Sequence, residues 1–432
     1  MGDHQPSRDG ADQVTKQRRR RRRIVLWLGV PLALLLGAGA YVYVDLDGNI
    51  RSSALFSGTG GQAPETKDAA GRSPENILVI GSDTRDSAAD CAIGGDCGPG
   101  ANADVEMLVH LAADRTNATV LSIPRDVVMS LPGCTDPTTG QVHPGAGQAV
   151  ITSSLQYGPG CTVAAVHQLT GITIDHFMMI DFSGVVNMSD AVGGVRVCVD
   201  NNVYDPDSHL KLTAGTHTLQ GLAALEFLRT RHGFGDGSDL GREDAQHIFL
   251  SAMVQKLKSA GTLTNPVTLY SLASAATKAL TVDPALNGLA DLADLANQLN
   301  DVPTNRITFL TTPNSPYTGA DPVFAQDLVP APGASAVFRA ILADRSFSGT
   351  GSPATAPPST PPNAGKAADA VHTTAPQSAP PATAPTTAPG DTNALNAAAA
   401  PGCAKVSTED TTAFGSPVQA FAQNPDVPNS AP

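Results

Sequence analysis

Basic residues are scarce beyond the first 44 positions. Of 27 Lys and Arg, eight fall in that opening stretch, leaving 19 against 37 Asp and Glu, with only 12 arginines among them. An acidic exterior of this kind argues against general nucleic-acid binding. Zinc-site spacings are missing too: the sequence has no CxxC, and His110, His167, His176, His217, His232 and His247 fall in no HExxH or comparable pattern. Ser82 lies in Gly-Ser-Asp rather than GxSxG, so a serine hydrolase is not supported. There is no internal repeat.

What is present divides the chain. Its 432 residues would allow about two or three domains, but 15 of the 34 prolines lie in the last 86 residues, among Ala, Thr, Ser and Gly. That stretch, 348–432, reads as a low-complexity tail too poor in apolar surface to fold. Residues 73–347 read as one globular domain. At the other end, six arginines at 18–23 precede an uncharged apolar run of 21 residues, 24–44. That length suits a transmembrane helix, and the basic flank assigns 1–23 to the cytoplasm and the domain to the outside. The alternative is a cleaved signal peptide, for which Ala38-Gly39-Ala40 has the small-x-small form. Residues 45–72 read as a polar, Gly-rich linker. Six cysteines agree with export and with disulfides. Of the 15 possible pairings, the reading favours Cys91 with Cys97, Cys134 with Cys161, and Cys198 with Cys403, while buried free thiols remain the alternative.

Within the domain, Asn76–Ile80 is an apolar, β-branched run, and Gly81 then delivers Asp83 and Arg85 at its carboxyl end. Ligands bind at such ends in open α/β sheets. Strands are expected again at Asp104–His110, at Thr119–Asp126, at Phe177–Asp181, at Val195–Val199 and at Ile307–Leu310. Helices are expected at Thr162–Thr170 with a Thr cap and a stop at Gly171, at Thr218–Leu228 running into Arg229 and Arg231, and at Leu240–Leu257 capped by Asp239. Interleaved helices and strands predict a layered α-β-α domain with a mixed central sheet.

Charged residues cluster at the element ends: Asp83, Arg85, Asp104, Arg125, Asp126, Arg229, Arg231, Asp239 and Arg242. Two carboxylates suit a hard cation such as Mg²⁺, and guanidinium groups match phosphate bidentately. Each residue also has a plainer reading: Asp83 as a turn residue, Asp126 or Asp239 as a helix cap, Arg229 and Arg231 at a helix carboxyl terminus. Spacing alone leaves the site undecided.

The set Asn76–Arg85, Ile123–Asp126, Gly171–Phe177, Ala191–Val195, Leu228–Arg231 and Gly235–Arg242 resembles the LytR-CpsA-Psr family, in order and over about 170 residues from Asn76 to Gln246. The resemblance implies a membrane-anchored phosphotransferase. Such an enzyme moves a glycopolymer from a polyprenyl-pyrophosphate carrier to peptidoglycan through a phosphodiester, with Mg²⁺ or Mn²⁺ on the pyrophosphate. It further implies Asp83 and Asp104 as metal carboxylates, and Arg85, Arg125, Arg229, Arg231, Arg242 and Gln246 on the substrate. Asp239 would orient arginines, and Asp104 or Asp126 would accept the acceptor's proton. Phosphoryl transfer depends on alignment and charge neutralisation, so the residue types are coherent with that chemistry.

The sequence departs from the family pattern. Where Arg-Ser-Asp-Thr is usual, it has Asn102-Ala103-Asp104-Val105, so one arginine is missing. Val150–Leu155 replaces Lys-Ile-Asn-Ala-Ala-Tyr, and Ala245 replaces a second arginine after Arg242. A pyrophosphatase of the same lipid carrier, or a non-catalytic protein that binds lipid-linked polymer or wall glycan, remains an alternative. Leu219, Leu222, Phe227, Ile248, Phe249 and Met253 are candidates to line a groove for the lipid, with an ordinary core as the plainer reading.

Overall fold

The computed structural model describes residues 27, 30, 32–58, 61–62, 67–68, 70–85, 87–94, 97, 101–137, 139–259, 265–347, 395–396 and 402–432. Among them, eight strands form one mixed sheet: β1 Arg51–Ser52, β2 Glu75–Ser82, β3 Ala103–Leu111, β4 Ala118–Ile123, β5 His176–Ile180, β6 Leu280–Val282, β7 Ile307–Thr311 and β8 Leu395–Asn396. Their order is β1-β6-β5-β2-β3-β4-β7-β8. The pairs β1/β6, β5/β2 and β4/β7 are parallel and the rest antiparallel.

The period-2 alternation of the central strands separates two cores. Leu78 and Ile80, Leu108, Leu121 and Ile123 face one side, where α1 (Pro159–Thr170) and α7 (Ala334–Leu342) bring Val163, Val166, Phe338 and Ile341. Met107, Leu111, Val120 and Phe309 face the other, covered by Leu250 and Val254 of α4 (Asp239–Lys258) and Leu299 of α6 (Leu289–Asp301). Each such fully buried side chain contributes about 1.5–3 kcal/mol, so both helical layers are held by burial. A third core joins the hairpin Val195–Val199/Gly215–Leu219 to α3 (Leu222–Arg229) and α4 through Val197, Leu219, Phe227 and Phe249. Helix α2 (Phe182–Ala191) follows β5 and is capped by Asp181, and α5 (Pro266–Ala279) precedes β6.

Several expectations need correction. α1 begins at Pro159 after Gly158, not at a Thr162 cap, because proline at the first turn needs no N–H partner. It ends as expected at Gly171 (φ 72°). α4 is capped by Ser238, whose Oγ accepts from Leu240 N, which leaves the Asp239 carboxylate free for other partners. The stretch 45–72 is not wholly a spacer. Leu46 is buried, Asp47 accepts from Leu289 N (2.8 Å) at the start of α6, and β1 extends the sheet.

The tail expectation fails for residues 402–432. They return to the third core through Ala404, Val406 and Ala431, and α8 (Pro417–Gln423) carries a capping box of Ser416 and Gln419. Composition averaged over the whole tail conceals these apolar and capping positions. Lys211 Nζ donates to the carbonyls of Asn424 and Val427, both at 2.6 Å, and bridges the segment to the hairpin region. The three expected disulfides, Cys91–Cys97, Cys134–Cys161 and Cys198–Cys403, are all formed. Among the described residues no helix is long and apolar enough to cross a membrane. The basic segment 1–23 and several positions of the run 24–44 lie outside the described residues. Residues 32–47 are helical, with Leu32, Leu34, Leu35 and Leu36 exposed.

Candidate functional site

Strand ends and helix ends meet at one rim. β2 and β3 pair in register as far as Gly81 opposite Val105, then slip so that Ser82 faces Ala103. A Cβ on Gly81 would stand 2.9 Å from Val105 Cβ, so glycine permits the close approach. Beyond the slip, Asp83 accepts from the Asn102 backbone N–H (2.6 Å) and side-chain amide (3.1 Å). Asn102 stands where the family pattern has its arginine, and it fixes the Asp83 carboxylate.

β4 stops at Ile123, and the turn after it aims Arg125 and Asp126 at α4. Arg125 Nη1 donates to Asp104 Oδ1, and its Nε lies 3.4 Å from both Asp126 Oδ1 and Asp239 Oδ1. Arg231 lies 3.7 Å from Asp126 Oδ2 and 3.2 Å from Asp239 Oδ1. Arg242 donates to Asp239 Oδ2 (2.7 Å) and to the Asp104 carbonyl (3.1 Å). Three arginines and three aspartates thus interlock into a network that is neutral as a unit. Burial works against the Arg125 charge, but Asp104, Asp239 and Asp126 together push its pKa up. Arg242 is deeper, and there burial prevails and pulls it down. Burial also raises Asp239 against its three arginines.

Arg229 adds a positive charge outside that network. It ends α3, with its guanidinium 4.5 Å over the Phe182 ring, an arrangement worth about 0.5–2 kcal/mol. Burial lowers its pKa, opposed by Asp104 and Asp83 and reinforced by Arg85. Asp104, Asp83 and Arg85 thus all lie within electrostatic reach of Arg229. Gln246, buried on α4, donates to the Leu228 carbonyl (3.0 Å) and ties α3 to α4.

Behind the rim lies a cavity of about 540 Å³. Asp104, Arg125, Arg229, Arg231 and Arg242 line its polar end, and Val105, Met107, Met178, Val185, Leu225 and Met253 are among its apolar walls. Of the six expected groove residues, only Phe249 and Met253 line it. Leu219, Phe227 and Ile248 are buried in the third core, and Leu222 is 51% exposed. The reason is local: Gly215–Leu219 is a strand, so α3 starts at Leu222 and turns Leu225 and Leu228 inward.

Beneath the rim, α4 and the sheet enclose Glu106, Glu243 and His247. Burial raises Glu243 to about 8, with Asp239 adding to the effect, and raises Glu106 well above the carboxylate range, helped by Glu243. Burial lowers His247 to about 4, and its Nε2 sits 2.7 Å from Ser122 Oγ. The sequence pattern gave no sign of Glu106 or Glu243, and it raised His232 and His247 only as histidines without zinc spacing. Asn102 was noted only as a missing arginine, and Glu243 falls on a helix face that looks polar.

Among the described residues no three His, Cys, Asp or Glu side chains converge as a metal cage. The donor set at the rim, Asp83 and Asp104, fits a hard divalent cation only if substrate oxygens and water supply the remaining ligands, as Mg²⁺ allows.

Fold and rim together define an α/β protein with a guanidinium-lined mouth on an apolar chamber. The sequence model of the LytR_cpsA_psr family matches residues 42–327, and the chain belongs to that family. It is 31% identical over 346 residues to the cell wall biosynthesis protein LcpA of Corynebacterium glutamicum, covering 73% of this chain and 65% of that protein. It is 27% identical over 256 residues to TagT of Bacillus subtilis, named a polyisoprenyl-teichoic acid–peptidoglycan teichoic acid transferase, covering 56% of this chain and 73% of that one. A crystal structure of a Streptococcus agalactiae protein shares the fold at a TM-score of 0.50 and 20% identity, over 64% of this chain and 90% of the other. The chain thus spans just under two thirds of LcpA.

Proposed function

We propose that the protein is a phosphotransferase that takes a glycopolymer from a polyprenyl-diphosphate carrier and joins it to peptidoglycan through a phosphodiester. The observation that carries this reading is the two-ended cavity, with guanidinium groups at its mouth and apolar walls of helix and sheet behind. A diphosphate attached to a hydrocarbon chain has the same polarity along its length. Arg229 and Arg231 contact the diphosphate, and Arg125, held between three carboxylates, keeps its charge and direction. Asp239 and Arg242 fix the frame, so little reorganisation is needed as charge develops on the transferred phosphoryl group. The apolar walls exclude water from the lipid side.

Asp83 and Asp104 would hold Mg²⁺, which when bound neutralises diphosphate charge. The apolar run at 24–44 anchors the protein in a membrane with the domain outside, which puts the cavity next to its lipid substrate.

The test uses the full chain in detergent micelles with a polyprenyl diphosphate-linked oligosaccharide, with and without Mg²⁺, alongside Arg229→Ala. Metal-dependent release of lipid monophosphate that Arg229→Ala reduces at least about a hundredfold supports the reading. Saturable binding without release, for wild type and with metal, overturns it.

A further inference from the structure

The carboxylates nominated to accept the acceptor's proton are already committed. Asp104 is paired with Arg125, Asp126 with Arg125 and Arg231, and Asp239 with three arginines. Asp181, on the cavity wall, caps α2 with one oxygen and faces Arg51 with the other. Asp205 is buried and accepts from the N–H groups of Asp207 (3.0 Å) and His232 (3.4 Å). Among the described cavity-lining residues, that leaves His232 and Asp207 as candidate proton acceptors neither paired with an arginine nor buried on backbone N–H groups.

Resting on the phosphotransferase reading, we propose that His232 is the general base that accepts the proton of the incoming sugar hydroxyl, with Asp207 stabilising the imidazolium that forms. His232 is the neighbour of Arg231 and lines the same cavity, with its side chain 34% exposed. Its Nδ1 lies 3.3 Å from the Gly237 carbonyl, which fixes Nδ1 as the protonated nitrogen and leaves the Nε2 lone pair as the basic site. Asp207 Oδ2 is 3.5 Å from Nε2, close enough to favour the charged ring once the proton arrives.

The backbone around His232 is held from two sides. Asp205 accepts its N–H, and the carboxy-terminal segment supplies Thr411 Oγ1 to its carbonyl (3.0 Å) and Ser407 N to the Gly233 carbonyl (3.0 Å). A base fixed in this way meets the positional demand of general-base catalysis. Asp207 is the carboxylate against the ring, and Asp205 holds the backbone N–H below it.

In the step itself the acceptor O–H bond breaks and its proton moves to Nε2. The oxygen forms a bond to the phosphorus that carries the glycopolymer, and the bond from that phosphorus to the lipid phosphate breaks. Lipid monophosphate leaves with the electron pair, and the imidazolium returns the proton to solvent.

The test compares the full chain with His232→Gln and Asp207→Asn between pH 5.5 and 8.5. It follows phosphodiester product with a glycan-strand acceptor and, separately, binding of the lipid diphosphate. The wild-type rate should rise with pH through one titration. His232→Gln should lose about a hundredfold or more in rate, lose that titration and keep its lipid affinity. Asp207→Asn should lower the rate and keep lipid affinity.

A His232→Gln protein with the wild-type rate and pH profile overturns the proposal, as does a loss of lipid binding in step with rate, which would mark a structural role. A wild-type chain that makes no phosphodiester and releases no lipid monophosphate defeats the phosphotransferase reading instead. Release without phosphodiester assigns water as the nucleophile and removes the sugar hydroxyl from the proposal.

Discussion

Glu243 and His247 lie one turn apart on α4, and burial moves them in opposite directions. The Glu243 carboxyl rises from 4.5 to about 8, so the folded state holds a proton that the unfolded chain releases above 4.5. Its contribution is full at low pH and declines as pH climbs to about 8. His247 falls from 6.5 to about 4, so its contribution is lost as pH drops through that window. Between roughly 4.5 and 6.5 the slopes of Glu243 and His247 oppose each other, and above 6.5 Glu243 acts together with Glu106, which burial raises in the same direction. Unfolding free energy should therefore fall from pH 6.5 to 8, by up to about 1.4 kcal/mol per unit for each carboxyl. Denaturant unfolding of Glu243→Gln should show a shallower slope, since the amide cannot titrate and only the Glu106 part remains. Phe182→Leu belongs to the same scale. It keeps bulk but removes the ring under Arg229, and should weaken lipid-diphosphate binding several-fold with little change in stability.

At the scale of elements, the rim depends on how closely α4 approaches the loop after α3. A Cβ on Gly241 would stand 2.2 Å from the Phe234 carbonyl oxygen, a main-chain atom that cannot swing aside. Gly241→Ala should push the first turn of α4 from the loop, separating Arg242 and Asp239 from Arg231. Expected losses are about 1–3 kcal/mol of stability and a larger fraction of transfer activity, read by thermal unfolding and lipid release.

Much of this layout was legible in the sequence. Apolar β-branched runs mark β2 to β4, and Asp104, Arg125 and Asp126 at the ends of β3 and β4 meet Arg231, Asp239 and Arg242, while Asp83 and Arg85 stay outside that network. What stayed hidden depended on geometry between elements. The slip at Gly81 that turns Asp83 to Asn102, the Ser238 cap that frees Asp239, and the four-residue delay of α3 that changes the groove lining each decide where a side chain faces. None alters the hydrophobic pattern.

For the whole molecule, the decisive closure is Cys198–Cys403, which spans 205 residues. Closing so long a loop restricts the unfolded chain by about 5 kcal/mol on a chain-entropy view. Cys403→Ser should lower unfolding free energy by up to that amount. It should also loosen the His232 loop, since Lys405 and Ser407 pair with Gly235 and Gly233 just beyond the bridge. Hydrogen exchange at the Gly235 and Ser407 amides would report the second effect.

The same bridge changes what the Pro-rich stretch is. Because the chain is fixed to the domain at both Phe347 and Cys403, the stretch between them joins two held points and is not a free end. A protease that cuts once within 351–394 would convert the protein into a two-chain molecule with nothing shed, a single band on a gel until reductant separates the carboxy-terminal piece.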